Sequence, residues 1–371
     1  MVILSILVTG FWLYLLLGHG RFWRSGRALK PARPSSTPGV AIIIPARDEA
    51  QVIGATLPSL LGQDYPGPFR VILVDDRSTD GTGAIARGLD DARLTVLTGA
   101  PRPPGWSGKL WALAQGLAEA ADAELVLLTD ADIEHHRAHL AALVAQAEAT
   151  NCDLVSEMVT LRCHSLAERA LIPAFVFFFQ LLYPFAWVND PLRRTAAAAG
   201  GTVLLRQRAL RRIGGVAAVR GRLIDDVALA AAVKSGGSIW LGHGTLARSL
   251  RPYPGFADIW EMIARTAYAQ LRFSPVLLMG TLIAMALIWF VPPAGALFGH
   301  GVVRALGLLS WAMLAGSYLP TLWQYGRSAL WAPLLPLIAA FYMAATMGSA
   351  WNYHRGRGVA WKGRAYHGAG K

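Results

Sequence analysis

Residues 125–132 read LVLLTDAD: four apolar residues, a threonine, then two carboxylates with one small residue between them. In an extended strand, residues i and i+2 point to the same side, so Asp130 and Asp132 would present both carboxylates together where a buried strand reaches the surface. Such a pair suits a hard divalent cation. Mg²⁺ or Mn²⁺ takes oxygen ligands and is usually held by one or two carboxylates plus the phosphate oxygens of a substrate. The same spacing also suits a solvated turn at a strand end, so the neighbouring elements have to decide between the two.

Those elements alternate. Residues 40–45 (VAIIIP), 71–76 (VILVDD), 94–99 (LTVLTG) and 125–129 (LVLLT) are short apolar runs that read as strands. Between them, residues 50–61 carry a helical apolar pattern with Pro58 inside it. A second helix is expected to open at Ser78 or Thr79, and residues 109–121 to form a third. Strands this apolar, alternating with helices, imply a mainly parallel sheet covered on both faces. In such sheets ligands bind beyond the carboxyl ends of the strands. Both acidic pairs fall there: Asp75 and Asp76 close the second strand, and Asp130 and Asp132 close the fourth.

The composition points to a lipid environment. Of 371 residues 54% are hydrophobic and 16% charged, against roughly 25% charged in ordinary soluble domains. The net charge of +12 would also suit a nucleic-acid binder. The basic residues gather beside apolar segments instead of interleaving with aromatics, so anionic lipid headgroups are the expected counter-charge and nucleic acid is not an expected partner. Residues 1–23 read as an uncleaved membrane anchor with its basic flank cytoplasmic, and residues 24–39 as a basic, proline-rich linker. Residues 40–250 form the expected catalytic domain, in which the aromatic stretch 165–190 reads as an interfacial or re-entrant helix or as a buried core helix. An amphipathic interfacial helix over 251–273, transmembrane helices within 274–352 and a basic tail from 353 to 371 complete the order. An outside N-terminus followed by the anchor and three further spans would leave the tail outside, whereas its arginines and lysines favour the cytoplasm. The number of spans therefore stays open. Cys152 and Cys163 are too few for a disulfide framework and are expected to be reduced thiols.

The segments PARDEA (45–50), VDDRSTDGT (74–82), GKLWAL (108–113), TDAD (129–132) and LIDDVAL (223–229), taken in this order, resemble the family 2 glycosyltransferases over about residues 38–272. These are inverting enzymes with a GT-A nucleotide-diphospho-sugar fold. The tail VAWKGRAY (359–366) and the flanking apolar segments resemble the ceramide glucosyltransferase branch, and within it the bacterial glycosyltransferases associated with hopanoid biosynthesis. The resemblance implies a cytosolic α/β GT-A domain on a bacterial inner membrane, a UDP-sugar donor, a Mg²⁺ or Mn²⁺ ion, and a membrane lipid as acceptor.

It also assigns roles. Ala46, Arg47, Glu49 and Asp75 or Asp76 match positions that hold the uridine and ribose; Lys109 matches a diphosphate contact. Asp132 is the expected metal ligand, with Asp130 touching the ribose or the metal. Inversion needs a base that deprotonates the acceptor hydroxyl on the face opposite the leaving diphosphate. Asp226 matches that base, with Asp225 positioning it or the acceptor; an acidic pair favoured by a helix dipole is the structural alternative. Relatives carry a Gln/Arg-x-x-Arg-Trp signature that this chain lacks, which leaves Arg265 and Arg272 as candidate diphosphate contacts. Trp361, Lys362 and Arg364 are candidate contacts from the tail. Other functions to weigh are a polyprenyl-phosphate glycosyltransferase, a processive polysaccharide synthase, and a non-catalytic membrane scaffold.

Overall fold

A computed structural model describes residues 1–24, 26–356, 359–361 and 364–366. The chain divides into a sheet unit built from Arg27–Arg162 and Trp187–Pro252 and a helical unit of residues 1–24, 163–186 and 253–356.

The sheet unit holds one mixed sheet of strands β1 (Val40–Ala46), β2 (Phe69–Asp75), β3 (Leu94–Thr98), β4 (Leu125–Thr129), β5 (Ile133–His135), β6 (Leu154–Thr160), β7 (Thr202–Arg206) and β8 (Ile239–Ser249). Their spatial order is β3-β2-β1-β4-β7-β6-β8-β5. β3, β2, β1 and β4 run parallel, and every residue of β1 and β4 is buried, as their unbroken apolar sequences require. The chain leaves β1 for β2 on one side and later returns to β4 on the other. That reversal opens a crevice beyond the carboxyl ends of β1 and β4.

The second half of the sheet departs from the parallel pattern. β7 lies between β4 and β6 and is antiparallel to both, with Thr129 opposite Thr202. This register brings Gly200 and Gly201 alongside the end of β4. β8 runs parallel to β6, and its last residue, Ser249, pairs with Ile133 of β5.

Helices cover the parallel strands. The helix Gly108–Glu119 is capped by Ser107, whose Oγ accepts from Leu110 N at 3.1 Å. It lies close over β1: a Cβ on Gly116 would stand 2.5 Å from Ile43 Cγ2. The second helix begins at Thr82, later than Ser78 or Thr79. Asp80 takes the N–H groups of Thr82 (3.0 Å) and Ala50 (2.9 Å), Ser78 Oγ accepts from Asp48 N (3.0 Å), and Asp48 accepts from Thr79 N (2.8 Å). These bonds tie residues 78–80 to the loop after β1, and Gly81 turns the chain with φ of 94°.

In the helical unit, Pro275–Phe298, Gly301–Gln324 and Ala329–His354 are long and apolar enough to cross a membrane. At 24 residues a helix spans about 36 Å, more than the roughly 30 Å of a bilayer core. Val2–Leu17, with 16 residues, is shorter than a usual span. It packs inside the unit: Trp12 is fully buried, donates to Ile288 O at 3.1 Å and meets Trp289 edge-on. Leu166–Leu182 starts at a capping box formed by Ser165 and Glu168. Its aromatic face is packed, with Phe177 5.2 Å from Tyr318 and Phe178 4.7 Å from Tyr342, ring centre to ring centre, and the Tyr342 hydroxyl donates to Leu171 O. The helix expected over residues 251–273 is two short ones, Phe256–Ala264 and Ala267–Gln270, broken at Arg265 and Thr266. Both cysteines are free thiols.

Candidate active site

Two groups of side chains stand at the carboxyl ends of β1, β2 and β4. The first follows β1 and β2. Ala46 is in register with Asp75, and Asp76 N donates to Ala46 O, so the two strand ends are joined. Asp75 accepts from Ser78 N at 2.9 Å, and its other oxygen lies where a Cβ on Gly83 would sit, 2.1 Å away. Asp76 is buried; Arg47 Nη1 donates to its carbonyl at 2.6 Å and lies 3.7 Å from its carboxylate. Glu49 N donates to Thr82 Oγ1. The sequence-expected nucleoside residues Ala46, Arg47, Glu49, Asp75 and Asp76 therefore form one connected cluster.

The second group surrounds Lys109, the second residue of its helix. Its ammonium is 2.7 Å from Asp130 and 3.9 Å from Asp225. Burial works against the charge on Lys109, but Asp130, followed by Asp225 and Asp226, outweighs it and raises its pKa. Burial pushes the Asp130 carboxyl up, with Lys109 opposing and Asp132 adding to the rise. The helix Asp225–Lys234 opens with both acids. Asp226 accepts from Gly200 N at 2.9 Å and from Val227 N at 2.8 Å. Burial, reinforced by the charge of Asp225, pushes its carboxyl up to about 6 even though Lys109 and these two N–H groups pull the other way. Gly201 O receives the Thr129 hydroxyl at 2.8 Å, so the Gly200–Gly201 turn carries Asp226 to the end of β4 across almost a hundred residues of sequence. Lys109, Asp130, Gly200, Asp225 and Asp226 border one small cavity floored by Leu110, Leu113 and Leu128.

Asp130 and Asp132 are not within an extended strand. β4 ends at Thr129, and a turn over residues 130–132 sends the two side chains to different partners. Asp130 faces Lys109. Asp132 is buried and accepts from Ser249 Oγ (3.1 Å) and Arg251 Nε (2.9 Å); Arg251 Nη2 also donates to Glu49 (2.9 Å). Arg251 is not among the residues expected from sequence. Its local signal is a basic residue two positions after a strand end, SLRPYP at 249–254, which is weaker than the family signature that singled out the later arginines.

Among the described residues no group of three or more His, Cys, Asp or Glu side chains is placed to hold a metal. By donor chemistry the carboxylates of Asp130 and Asp132 suit Mg²⁺ or Mn²⁺, which accepts one or two carboxylates and fills its shell with phosphate and water oxygens, although here each is paired with a basic side chain. They do not fit zinc, which asks for nitrogen or sulfur donors in a closed set. Arg265 and Arg272 belong to the helical unit, where both are exposed. Trp361 and Arg364 fall in the short strands Val359–Trp361 and Arg364–Tyr366, and Lys362 lies outside the described residues.

The model of the family "Glycosyl transferase family 2" matches residues 41–214. An uncharacterized protein, y4gI, of Sinorhizobium fredii is 36% identical over 129 residues, which is 34% of this chain and 13% of that protein. Glycosyltransferase AglE of Haloferax volcanii is 33% identical over 124 residues, or 33% of this chain and 39% of AglE. The 4,4'-diaponeurosporenoate glycosyltransferase of Staphylococcus aureus is 36% identical over 94 residues, covering 25% of this chain and 24% of that protein. The chain thus spans well under half the length of these relatives. Among solved structures, mannosyltransferase PcManGT from Pyrobaculum calidifontis, in complex with GDP-Man and Mn²⁺, superposes with a TM-score of 0.59 over 95% of this chain and 99% of its own, at 22% identity. That likeness establishes a shared fold. Residues 41–214 thus match the family 2 glycosyltransferase model, within a chain that has a GT-A fold.

Proposed function

We propose that the protein is a membrane-bound inverting glycosyltransferase that moves a sugar from a UDP-sugar to a hydroxyl of a membrane lipid. The acceptor would be a hopanoid or a sphingolipid-like molecule, in keeping with the ceramide glucosyltransferase-like branch. The sheet unit would face the cytoplasm of a bacterial inner membrane, with anionic headgroups as the counter-charge for its basic segments. The observation that carries this reading is the Lys109 cluster, which gathers Asp130, Asp225 and Asp226 at one strand end.

The residues divide the work. Arg47, Glu49, Asp75 and Asp76 hold the nucleoside after β1 and β2. A divalent cation held by Asp130 and Asp132 would stabilise charge on the departing diphosphate. Lys109 places a further positive charge beside Asp130. Asp226 accepts the proton of the acceptor hydroxyl; its two N–H partners fix its orientation, and its carboxyl, raised to about 6, is ionised yet basic near neutral pH. Asp225 holds Lys109 and keeps Asp226 raised. The three long apolar helices support a lipid acceptor.

The direct test compares lipid extracts by mass spectrometry from cells with and without the chain. A species heavier by one sugar unit, absent when Asp226 is replaced by Asn, is expected. Identical extracts from cells making the intact chain would refute a lipid acceptor.

A further inference from the structure

We propose that Arg251 is a positioning residue that selects which oxygen of Asp132 faces the divalent cation and couples that end of the site to the nucleoside end at Glu49. The inference rests on the reading of Asp130 and Asp132 as the cation's ligands.

The residues leaving β8 clasp Asp132 from three directions. Ser249 is fixed in register with Ile133, and Leu250 N donates to Asp132 O at 2.8 Å. Ser249 Oγ and Arg251 Nε then donate to the same carboxylate oxygen, Oδ2, at 3.1 and 2.9 Å, while Arg251 N donates to Ser249 Oγ at 3.3 Å. Because both side-chain bonds converge on Oδ2, Oδ1 is the oxygen that would be left to hold a cation. The far nitrogen of the same guanidinium reaches Glu49 at 2.9 Å. One planar, rigid fork thereby spans carboxylates that follow two different strands, β1 and β4. A lysine ammonium, a point charge on a flexible stem, has no such reach.

Two effects of opposite sign follow. A guanidinium beside a metal ligand repels the cation, so removing it should tighten binding by Coulomb's law. An outer-shell bond that orients the ligand strengthens binding, and losing one commonly costs 10–100-fold in affinity. The geometry points to the second effect as the stronger, because both donors act on one oxygen of a buried carboxylate.

The test measures Mn²⁺ binding by electron paramagnetic resonance on the full chain in detergent, with and without UDP. Arg251→Gln is expected to weaken Mn²⁺ binding roughly ten-fold or more and to diminish the mutual tightening between Mn²⁺ and UDP. Arg251→Lys, which keeps the charge without the fork, should resemble Gln rather than the parent. Ser249→Ala, neutral in charge, should weaken Mn²⁺ in the same direction by less, and it guards against a misfolded arginine variant. Unchanged or tighter Mn²⁺ binding in Arg251→Gln, or full rescue by Lys, overturns the proposal. Asp132→Asn separates the two claims: if it leaves Mn²⁺ binding intact, the ligand reading itself fails.

Discussion

Asp226 sits where burial and a neighbouring acid raise its carboxyl to about 6, so the base proposed there has a measurable signature. Only the ionised carboxylate can take a proton. Transfer should therefore be constant above neutrality and fall about ten-fold per pH unit below pH 6, as the base becomes protonated. A profile flat to pH 4 would remove Asp226 from that role. Asp226→Asn is expected to lower the transfer rate by about 10²–10⁴-fold while UDP affinity stays near that of the parent. Loss of UDP binding instead would move the residue to the donor side. At this scale the carboxylates are legible in the sequence because Asp-x-Asp after an apolar run is a local pattern. Arg251 is not, because its importance depends on β8 ending beside the turn after β4, a pairing that no spacing in the sequence records. The separate partners of Asp130 and Asp132 are equally hidden, since the strand stops one residue before the first of them.

At the scale of elements, the short helix Thr82–Arg87 can approach β2 only because residue 83 lacks a side chain. A methyl group there would overlap Asp75 Oδ2 and force that carboxylate to turn. Gly83→Ala should thus weaken UDP binding, measured by calorimetry, even though alanine is the better helix former. Unaltered UDP affinity would detach Asp75 from the nucleoside site. Ser107→Ala removes the cap of the helix that carries Lys109 and should cost about 1 kcal/mol in unfolding free energy. The parallel half of the sheet is readable from the residues alone, because strands buried on both faces must be continuous apolar runs. The insertion of β7 between β4 and β6 is not, since an antiparallel neighbour shows the same composition. The late start of the second helix follows from the side-chain bonds of Asp48 and Asp80, which take the N–H groups of Thr79 and Thr82.

At the scale of the whole molecule, the chain joins an α/β sheet unit to a bundle of apolar helices. Length and hydropathy alone mark the three long helices. The role of residues 2–17 is harder to read: a mostly apolar helix of 16 residues satisfies both a short anchor and a helix packed against its neighbours, and Trp12 is buried in the second manner. The protein should stay with membranes through an alkaline carbonate wash and be released by detergent; recovery in the aqueous wash would contradict the spans. The account as a whole is tested most directly by supplying membranes that contain the full chain with radiolabelled UDP-sugars and Mn²⁺ or Mg²⁺. Label should pass into the lipid phase with the parent chain, require the metal, and be lost with Asp132→Asn. If no candidate nucleotide sugar is consumed, or if Asp132→Asn transfers label at the parent rate, the assignment of this site to metal-assisted sugar transfer is wrong.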